Sequence, residues 1–301
     1  ERRDLGFFFS GPWWSYGKSG YSDNSIFFAQ QVKCLRRLFR QTHDPFRIIT
    51  LHQSFISHNV KITQGRRAVL CSFQDVNTRP MPSMISRPRR SALFMPGDNS
   101  RAQQKATGLP ADVIILDLED AVSPANKESA RQQVQSTLEQ TDYGQREVVV
   151  RVNRLETQHC KEDLTALASN PPDAILLPKV ESADELFTAT VALNALGAPS
   201  DLALWAMIET PLGIQHIEEI ATATPRLACV VAGTADLASA LRITHSSAQL
   251  GLQYALSRLV LAARASHIDA IDGVFFNLQD SDGLRHSCET GRQLGFDGKS
   301  L

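Results

Sequence analysis

From Ser91 onward, short apolar runs alternate with longer stretches whose apolar positions recur every three or four residues. The runs cover 92–95, 113–118, 148–152, 174–177, 202–208, 228–232 and 270–276, and an eighth begins near 296. Each is almost wholly apolar, as expected of a strand covered on both faces. Between them, "SPANKESARQQVQSTLEQ" offers Ser123 as a helix cap and Pro124 in the first turn. "SADELFTATVALNALG" runs from Ser182 as cap to Gly197 past the end. "SAQLGLQYALSRLVLAARA" carries an apolar stripe at helical spacing. Strands alternating with helices predict a parallel α/β sheet, and eight repeats in about 210 residues match a (β/α)8 TIM barrel. The alternative is a doubly wound sheet, which usually carries a glycine-rich phosphate turn after its first strand; no such turn is present.

Residues 1–83 lack this rhythm. They hold aromatic clumps (Phe7 to Phe9, Trp13, Trp14) and basic pairs (Arg36, Arg37, Arg66, Arg67). "SIFFAQQVKCLRRLFRQ" reads as a helix and "FRIITLHQSFI" as a strand. The expected organisation is therefore an irregular, poorly structured N-terminal extension at 1–83 and a barrel domain at 84–301. Met81 and Met84 stand just before the rhythmic part, which suggests that the extension is translated upstream sequence. A transit peptide is the rival, since the segment is basic, contains serines and is poor in acids; an accessory region is the third option.

Composition narrows the classes. With 43% hydrophobic and 21% charged residues, the chain can bury a core of one large or two small domains. Its net charge of −1 hides an asymmetry: residues 1–90 hold 15 Lys+Arg against 5 Asp+Glu, and 91–301 hold 16 against 27. The basic part contains no basic helix with a clean apolar face and no nucleic-acid module, so a nucleic-acid partner is not expected. Cys34, Cys71, Cys160, Cys229 and Cys288 are scattered, without CxxC or Cys/His spacing, which argues against zinc and disulfides and fits a reducing, cytoplasmic setting. No apolar stretch approaches the roughly 20 residues of a membrane span, and the opening segment lacks the apolar core of a secretory signal.

The apolar runs end in chemistry. "MPGDN", "DLED", "RVN", "PKVE", "IETP" and "GTAD" each follow a predicted strand. In a parallel barrel these ends meet at one mouth, so residues far apart in sequence converge. Taken singly, each also reads as a helix cap or, at Pro178 and Pro211, as a helix start. Together the acids are Asp117, Glu119, Asp120, Glu181, Glu209 and Asp236, and the cations Arg151 and Lys179. So many carboxylates repel one another unless a cation intervenes. Mg²⁺ suits an oxygen-only site with one or two carboxylates, water and substrate oxygens; zinc would want His or Cys. Lys179 balances the acids or orients Glu181, an ion pair rather than a catalytic group. His216, His245 and His286 lie in helices or loops and read as surface or core fillers.

These motifs occur together as "RSALFMPGDNSRAQQKA", "ADVIILDLEDAVSPANKESAR", "VVVRVN", "AILLPKVES", "MIETPLGI", "VVAGTADL", "AIDGVFFNLQDSDGL" and "GRQLGFDGK". In that order they resemble the citrate lyase β-subunit-like (CitE-like) group of the HpcH/HpaI aldolase and citrate lyase superfamily, over residues 90–299. The resemblance implies a Mg²⁺-dependent (β/α)8 barrel, commonly a homotrimer. It implies a carbon–carbon lyase that cleaves or forms a 3-hydroxyacyl thioester, on CoA or an acyl carrier, from an acyl thioester and a small oxo-acid. By motif, Glu209 and Asp236 match the metal ligands and Arg151 the substrate-holding arginine, with Arg151 and Glu209 as catalytic residues. Glu119 and Asp120 match the acidic pair on the metal side. Lys127 and the "MPGDNSR" turn fall where the thioester's phosphate-bearing arm is expected. The base that takes the substrate's hydroxyl proton is not identified.

One departure is that family members continue past "GFDGK" with an "IHP" strand end and further helices, whereas here the sequence given ends at Leu301. The expectation is a barrel truncated in its eighth unit, with two exposed strand edges. The rival functions are a pyruvate-dependent class II aldolase of the same superfamily and an inactive remnant.

Overall fold

A computed structural model describes residues 49–53, 59–64, 67–72, 87–243 and 250–301. The chain separates into two units, Glu1–Ser83 and Met84–Leu301, each described by itself. In the first, β1 (Ile49–Gln53), β2 (Asn59–Gln64) and β3 (Arg67–Ser72) form an antiparallel sheet in that order. β1 falls inside the strand predicted from "FRIITLHQSFI". The helix predicted from "SIFFAQQVKCLRRLFRQ" lies outside the described residues.

The second unit is a closed parallel barrel. Its first half runs β4 (Ser91–Pro96), α1 (Ser100–Ala106), β5 (Val113–Asp117), α2 (Lys127–Gln140), β6 (Glu147–Arg151), α3 (Gln158–Ser169), β7 (Ala174–Leu177) and α4 (Ala183–Ala195). Its second half runs β8 (Ala203–Ile208), α5 (Pro211–Gln215), α6 (Ile217–Ala221), β9 (Leu227–Ala232), α7 (Thr234–Ala240), α8 (Gln253–Ala265), β10 (Asp269–Asp272), α9 (Ser281–Leu294) and β11 (Gly298–Ser300). All eight strands read from the apolar runs are present.

The period-two alternation of a strand divides the apolar residues into two cores. Val113, Ile115, Val149, Leu176, Trp205, Met207, Val231 and Ile271 form one buried cluster. Ile114, Leu116, Val150, Ile175, Leu204, Ile208 and Val230 belong to the other, which also includes helix residues such as Val134, Leu164, Leu186 and Leu259. The first fills the barrel and the second cements the helices to it, which is why the strands carry almost no polar positions.

The expected open edges are not there. β11 has only three residues, yet it pairs on both sides: Asp272 with Lys299 toward β10, and Lys299 with Ser91 and Ser300 with Ala92 toward β4. The Leu301 N–H donates to the Ala92 carbonyl (2.8 Å), and the Phe94 N–H donates to the Leu301 carbonyl (3.0 Å). Lys299 secures the seam by donating from its buried ammonium to Asp272 Oδ2 (2.7 Å) and the Gly273 carbonyl (2.6 Å). A short strand suffices because its two neighbours already stand in register.

The barrel's base is closed by arginines from the basic run before β4. Arg89 forks onto Glu147 (Nε–Oε2 2.6 Å, Nη2–Oε1 2.7 Å), reaches Asp269 (2.8 Å) and lies over the Trp205 ring (5.0 Å to its centroid). Arg87 meets Asp173 and Arg90 meets Asp112. Part of the sequence's charge asymmetry is therefore internal pairing.

Two capping expectations are corrected. The Ser123 side chain makes no cap bond; Pro124–Asn126 form a 3₁₀ turn before α2. Ser182 precedes α4 but donates its hydroxyl to Glu185 instead of accepting from the helix. Thr210 is a true cap, accepting from the Gly213 N–H (3.0 Å), with Pro211 opening α5. Gly197 stands just past α4 with φ 75°, a left-handed conformation that suits glycine. No helix of the described residues is long and apolar enough to cross a membrane.

Candidate active site

Because the strands are parallel, Asp117 at the end of β5, Arg151 at the end of β6, Lys179 after β7, Glu209 after β8 and Asp236 in the first turn of α7 all face one mouth. Their side chains form one connected network. Arg151 lays the Nε and Nη2 edge of its guanidinium on Asp117 (Nε–Oδ1 2.7 Å, Nη2–Oδ2 2.6 Å). Asp117 is held in turn by the backbone N–H groups of Glu119 (2.9 Å) and Ala121 (3.0 Å), which fold the "DLED" turn over the strand end. Arg151 Nη1 lies 3.0 Å from Glu119 Oε2, off the hydrogen-bond axis, so that buried oxygen accepts no hydrogen bond. The Phe94 ring covers the guanidinium at 5.1 Å.

Lys179 ties the other side together. Its ammonium donates to Glu119 Oε1 (2.9 Å) and lies 3.5 Å from both Asp120 Oδ2 and Asp236 Oδ2. Its backbone N–H donates to Glu209 Oε1 (2.8 Å). The expectation that Lys179 balances the acids agrees with this geometry. Orientation of Glu181 does not: Glu181 lies toward Arg154 at 3.9 Å, and its carbonyl meets His216 Nδ1 at 2.8 Å.

Burial sets the electrostatics. It pushes the Glu209 carboxyl up to about 7; the Lys179 N–H opposes that shift, and the charges of Glu119 and Asp236 add to it. Burial also raises Glu119, outweighing Arg151 and Lys179. Lys179 goes the other way: burial would lower it, but its bond to Glu119 and the surrounding carboxylates hold it above the ordinary lysine value. Gly233 makes room for Glu209, since a Cβ there would lie 2.6 Å from Glu209 Oε2.

Lys127 is placed differently from expectation. Its ammonium is buried and donates to the Leu118 (2.7 Å) and Glu119 (2.6 Å) carbonyls. Instead of presenting a cation to a phosphate, it clamps the "DLED" turn from below. The "MPGDNSR" turn does reach the mouth: Gly97 donates to the Asp117 carbonyl (2.8 Å), and Asn99 caps α1.

The sequence reading missed a supporting layer. Asp163 on α3, fully buried, accepts from the Asn153 backbone N–H (3.0 Å) and side-chain amide (2.7 Å), and Arg131 on α2 neutralises it (2.7 Å). This fixes the "RVN" strand end that carries Arg151. The available signal was a charged residue on each of two facing helices at positions with apolar spacing.

Among the described residues, no group of three or more His, Cys, Asp or Glu is arranged to hold a metal ion by itself. Glu209 and Asp236 provide two carboxylates, and the donor set around them is all oxygen apart from Lys179. That fits an ion that keeps water and takes substrate oxygens, as Mg²⁺ does. Glu119 Oε2, ion-paired with Arg151 at 3.0 Å but accepting no hydrogen bond, keeps acceptor capacity at the same mouth.

Residues 90–301 match the family model of HpcH/HpaI aldolase/citrate lyase. The chain belongs to this family. It is 46% identical over 214 residues, 71% of this chain and 73% of the relative, to a (3S)-malyl-CoA thioesterase of Cereibacter sphaeroides. It is 39% identical over 218 residues, 71% of this chain and 72% of the relative, to citrate lyase subunit beta of Leuconostoc mesenteroides. A solved structure of the protein CitE from Mycobacterium tuberculosis, in complex with magnesium, acetoacetate and coenzyme A, superposes with a TM-score of 0.57 at 30% identity, covering 70% of this chain and 75% of that one. As a member of this family, the chain is a lyase-type enzyme with a TIM-like barrel.

Proposed function

We propose that the protein is a Mg²⁺-dependent carbon–carbon lyase that cleaves, or forms, a 3-hydroxyacyl thioester, giving an acyl thioester and a small oxo-acid. The observation that carries this is the buried Asp117–Arg151 fork set beside the Glu209–Asp236 pair at one mouth. Support also comes from the relatives, two of which are named for citrate and for a malyl-CoA ester.

Glu209 and Asp236 are the residues that would hold the ion, which when bound supplies Lewis-acid polarisation of the oxo-acid's C–O unit. The rest of the chemistry lies with the chain. Asp117 occupies the Nε/Nη2 edge of Arg151 and Nη1 stands 3.0 Å from Glu119 Oε2 and 3.7 Å from Met207 Sδ, so a substrate carboxylate or carbonyl oxygen would reach the guanidinium at Nη1, in place of Glu119. There a planar, permanently charged fork steadies negative charge as it develops. Asp117 and Phe94 fix the fork's orientation in advance. Lys179 and the Glu119–Asp120 pair set the charge balance around the oxo-acid. In the cleavage direction the substrate hydroxyl loses its proton, the C–C bond breaks, and the thioester enolate takes up a proton. The same reading includes a homotrimer in the cytoplasm, the reducing compartment that suits its free thiols.

A second reading, hydrolysis of the thioester bond, is favoured by the relative named as a thioesterase. A panel of CoA thioesters and free hydroxy acids, with products read by mass spectrometry, separates the possibilities. Lyase activity gives an acyl-CoA plus an oxo-acid; hydrolysis gives free CoA plus a hydroxy acid. Turnover of free hydroxy acids alone identifies a class II aldolase, and no product from any substrate identifies an inactive remnant.

A further inference from the structure

Lys179, Arg242 and His267 are the non-glycine residues with positive φ among those described. Arg242 and His267 sit just past the caps of α7 and α8, where a left-handed residue commonly ends a helix. Lys179 ends no helix. It follows Pro178 at the mouth with φ 50°, a strained conformation for a residue with a Cβ.

That conformation lets one residue serve four carboxylates. The backbone N–H turns to Glu209 Oε1 at 2.8 Å. The ammonium crosses to Glu119 Oε1 at 2.9 Å, with Asp120 Oδ2 and Asp236 Oδ2 each at 3.5 Å. Lys179 thus touches both carboxylates assigned to the ion, one through its backbone and the other through its charge. A divalent ion on Asp236 would stand beside an ammonium drawn to the same carboxylate, and two cations that close repel. The Asp236 contact is the weaker arm: it is longer than the Glu119 contact, and the Asp236 side chain is 42% exposed where that of Glu119 is 9%.

We propose that Lys179 is a built-in counter-cation. Without a divalent ion it holds Asp236 together with the Glu119–Asp120 pair; when the ion binds, it releases Asp236 while its N–H keeps Glu209 in place. Ion affinity is then set by the exchange of one cation for another. This deepens the proposed function and depends on Glu209 and Asp236 being the ion's carboxylates.

The test is calorimetric titration of MgCl₂ into the full chain at pH 8, without substrate. Lys179→Met removes the ammonium. Lys179→Gly removes it too, relaxes the left-handed backbone and retains the N–H on Glu209, so it carries the test if the Met variant does not fold. Both variants are expected to bind Mg²⁺ about tenfold more tightly than the wild type, a factor equivalent to 1.4 kcal/mol. Both are also expected to melt lower without Mg²⁺ and to gain more from adding it. Wild-type binding with equal or weaker affinity in Lys179→Gly overturns the counter-cation role alone. No Mg²⁺ binding by any of the three chains overturns that role and the assignment of the ion to Glu209 and Asp236 together.

Discussion

Arg151 and Asp117 meet edge to edge, with Nε–Oδ1 at 2.7 Å and Nη2–Oδ2 at 2.6 Å, both residues buried at the ends of neighbouring strands. Removing Asp117 leaves the buried guanidinium with Glu119 alone at 3.0 Å and strips its two charged hydrogen bonds, a loss toward the roughly 3–5 kcal/mol of a broken buried pair. Asp117→Ala is therefore expected to lower the melting temperature sharply. Arg151→Lys keeps the charge but loses the planar fork, and a point charge cannot replace it. Its kcat/KM should fall by at least about a hundredfold, roughly 3 kcal/mol of transition-state stabilisation, while the fold survives by circular dichroism. Near-normal turnover in Arg151→Lys would remove this residue from the chemistry.

Glu209 makes the metal-free fold sensitive to pH. Its carboxyl is pushed from 4.5 up to about 7 by burial, so between these values the folded chain holds a proton that the unfolded chain has lost. The contribution is fully present below about 4.5, declines as pH rises, and is gone above about 7. The loss is on the order of 3 kcal/mol, at about 1.36 kcal/mol per pKa unit. Urea melts of the chelated protein at pH 5 and pH 7.5 should show a larger drop for the wild type than for Glu209→Gln. Equal drops in the two proteins would show that Glu209 is not the buried acid.

Lys127 distinguishes a clamp from a phosphate ligand. Lys127→Met leaves the Leu118 carbonyl unsatisfied, while the Glu119 carbonyl keeps the Val122 N–H, a loss of about 1–3 kcal/mol. The clamp role predicts lower stability with an unchanged KM for the CoA ester. A phosphate role predicts the opposite pair of results.

The barrel was legible because period-two apolar runs and helical stripes are local signals, and the site was legible because each run ends in a charged motif. What escaped was non-local. An eighth strand is expected from near 296, but its closure of the barrel through Gly298–Ser300 depends on backbone pairing on both sides of the seam, which no local pattern announces. Arg87, Arg89 and Arg90 counted only toward the basic excess of residues 1–90, because only the fold brings Asp173, Glu147, Asp269 and Asp112 to them. Lys127 reads as a mouth cation in sequence; its inward turn is set by the two carbonyls beneath the "DLED" bend. The Asp163–Arg131 pair escaped because a charged residue at an apolar position reads as an exposed helix face until its partner is known.

The base of the barrel yields its own prediction. Arg89→Ala strands Glu147, itself buried, and removes the lid over Trp205. The expected cost is about 3–5 kcal/mol, read by chemical denaturation. A loss below about 1 kcal/mol, the range of exposed ion pairs, would place Arg89 at the surface instead.

Thiol reactivity reports the same burial. Cys160 is pushed up to about 12 by burial, and Cys229 is raised well above its ordinary value, whereas Cys288 is exposed. Alkylation at pH 8, followed by peptide mass spectrometry, should modify Cys288 and spare Cys160 and Cys229 until denaturant is added. Labelling of Cys160 as fast as Cys288 in the native protein would contradict the packing of α3 on the barrel.

The central claim is that Glu209 and Asp236 jointly hold one divalent ion on which thioester turnover depends. The direct measurement is CoA-ester turnover in Mg²⁺ and in chelator, for the wild type, Glu209→Ala and Asp236→Ala. The prediction is activity in the wild type with Mg²⁺, abolished by chelation and absent from both folded variants. Turnover that survives the chelator, or that persists near the wild-type rate in either variant, would contradict it.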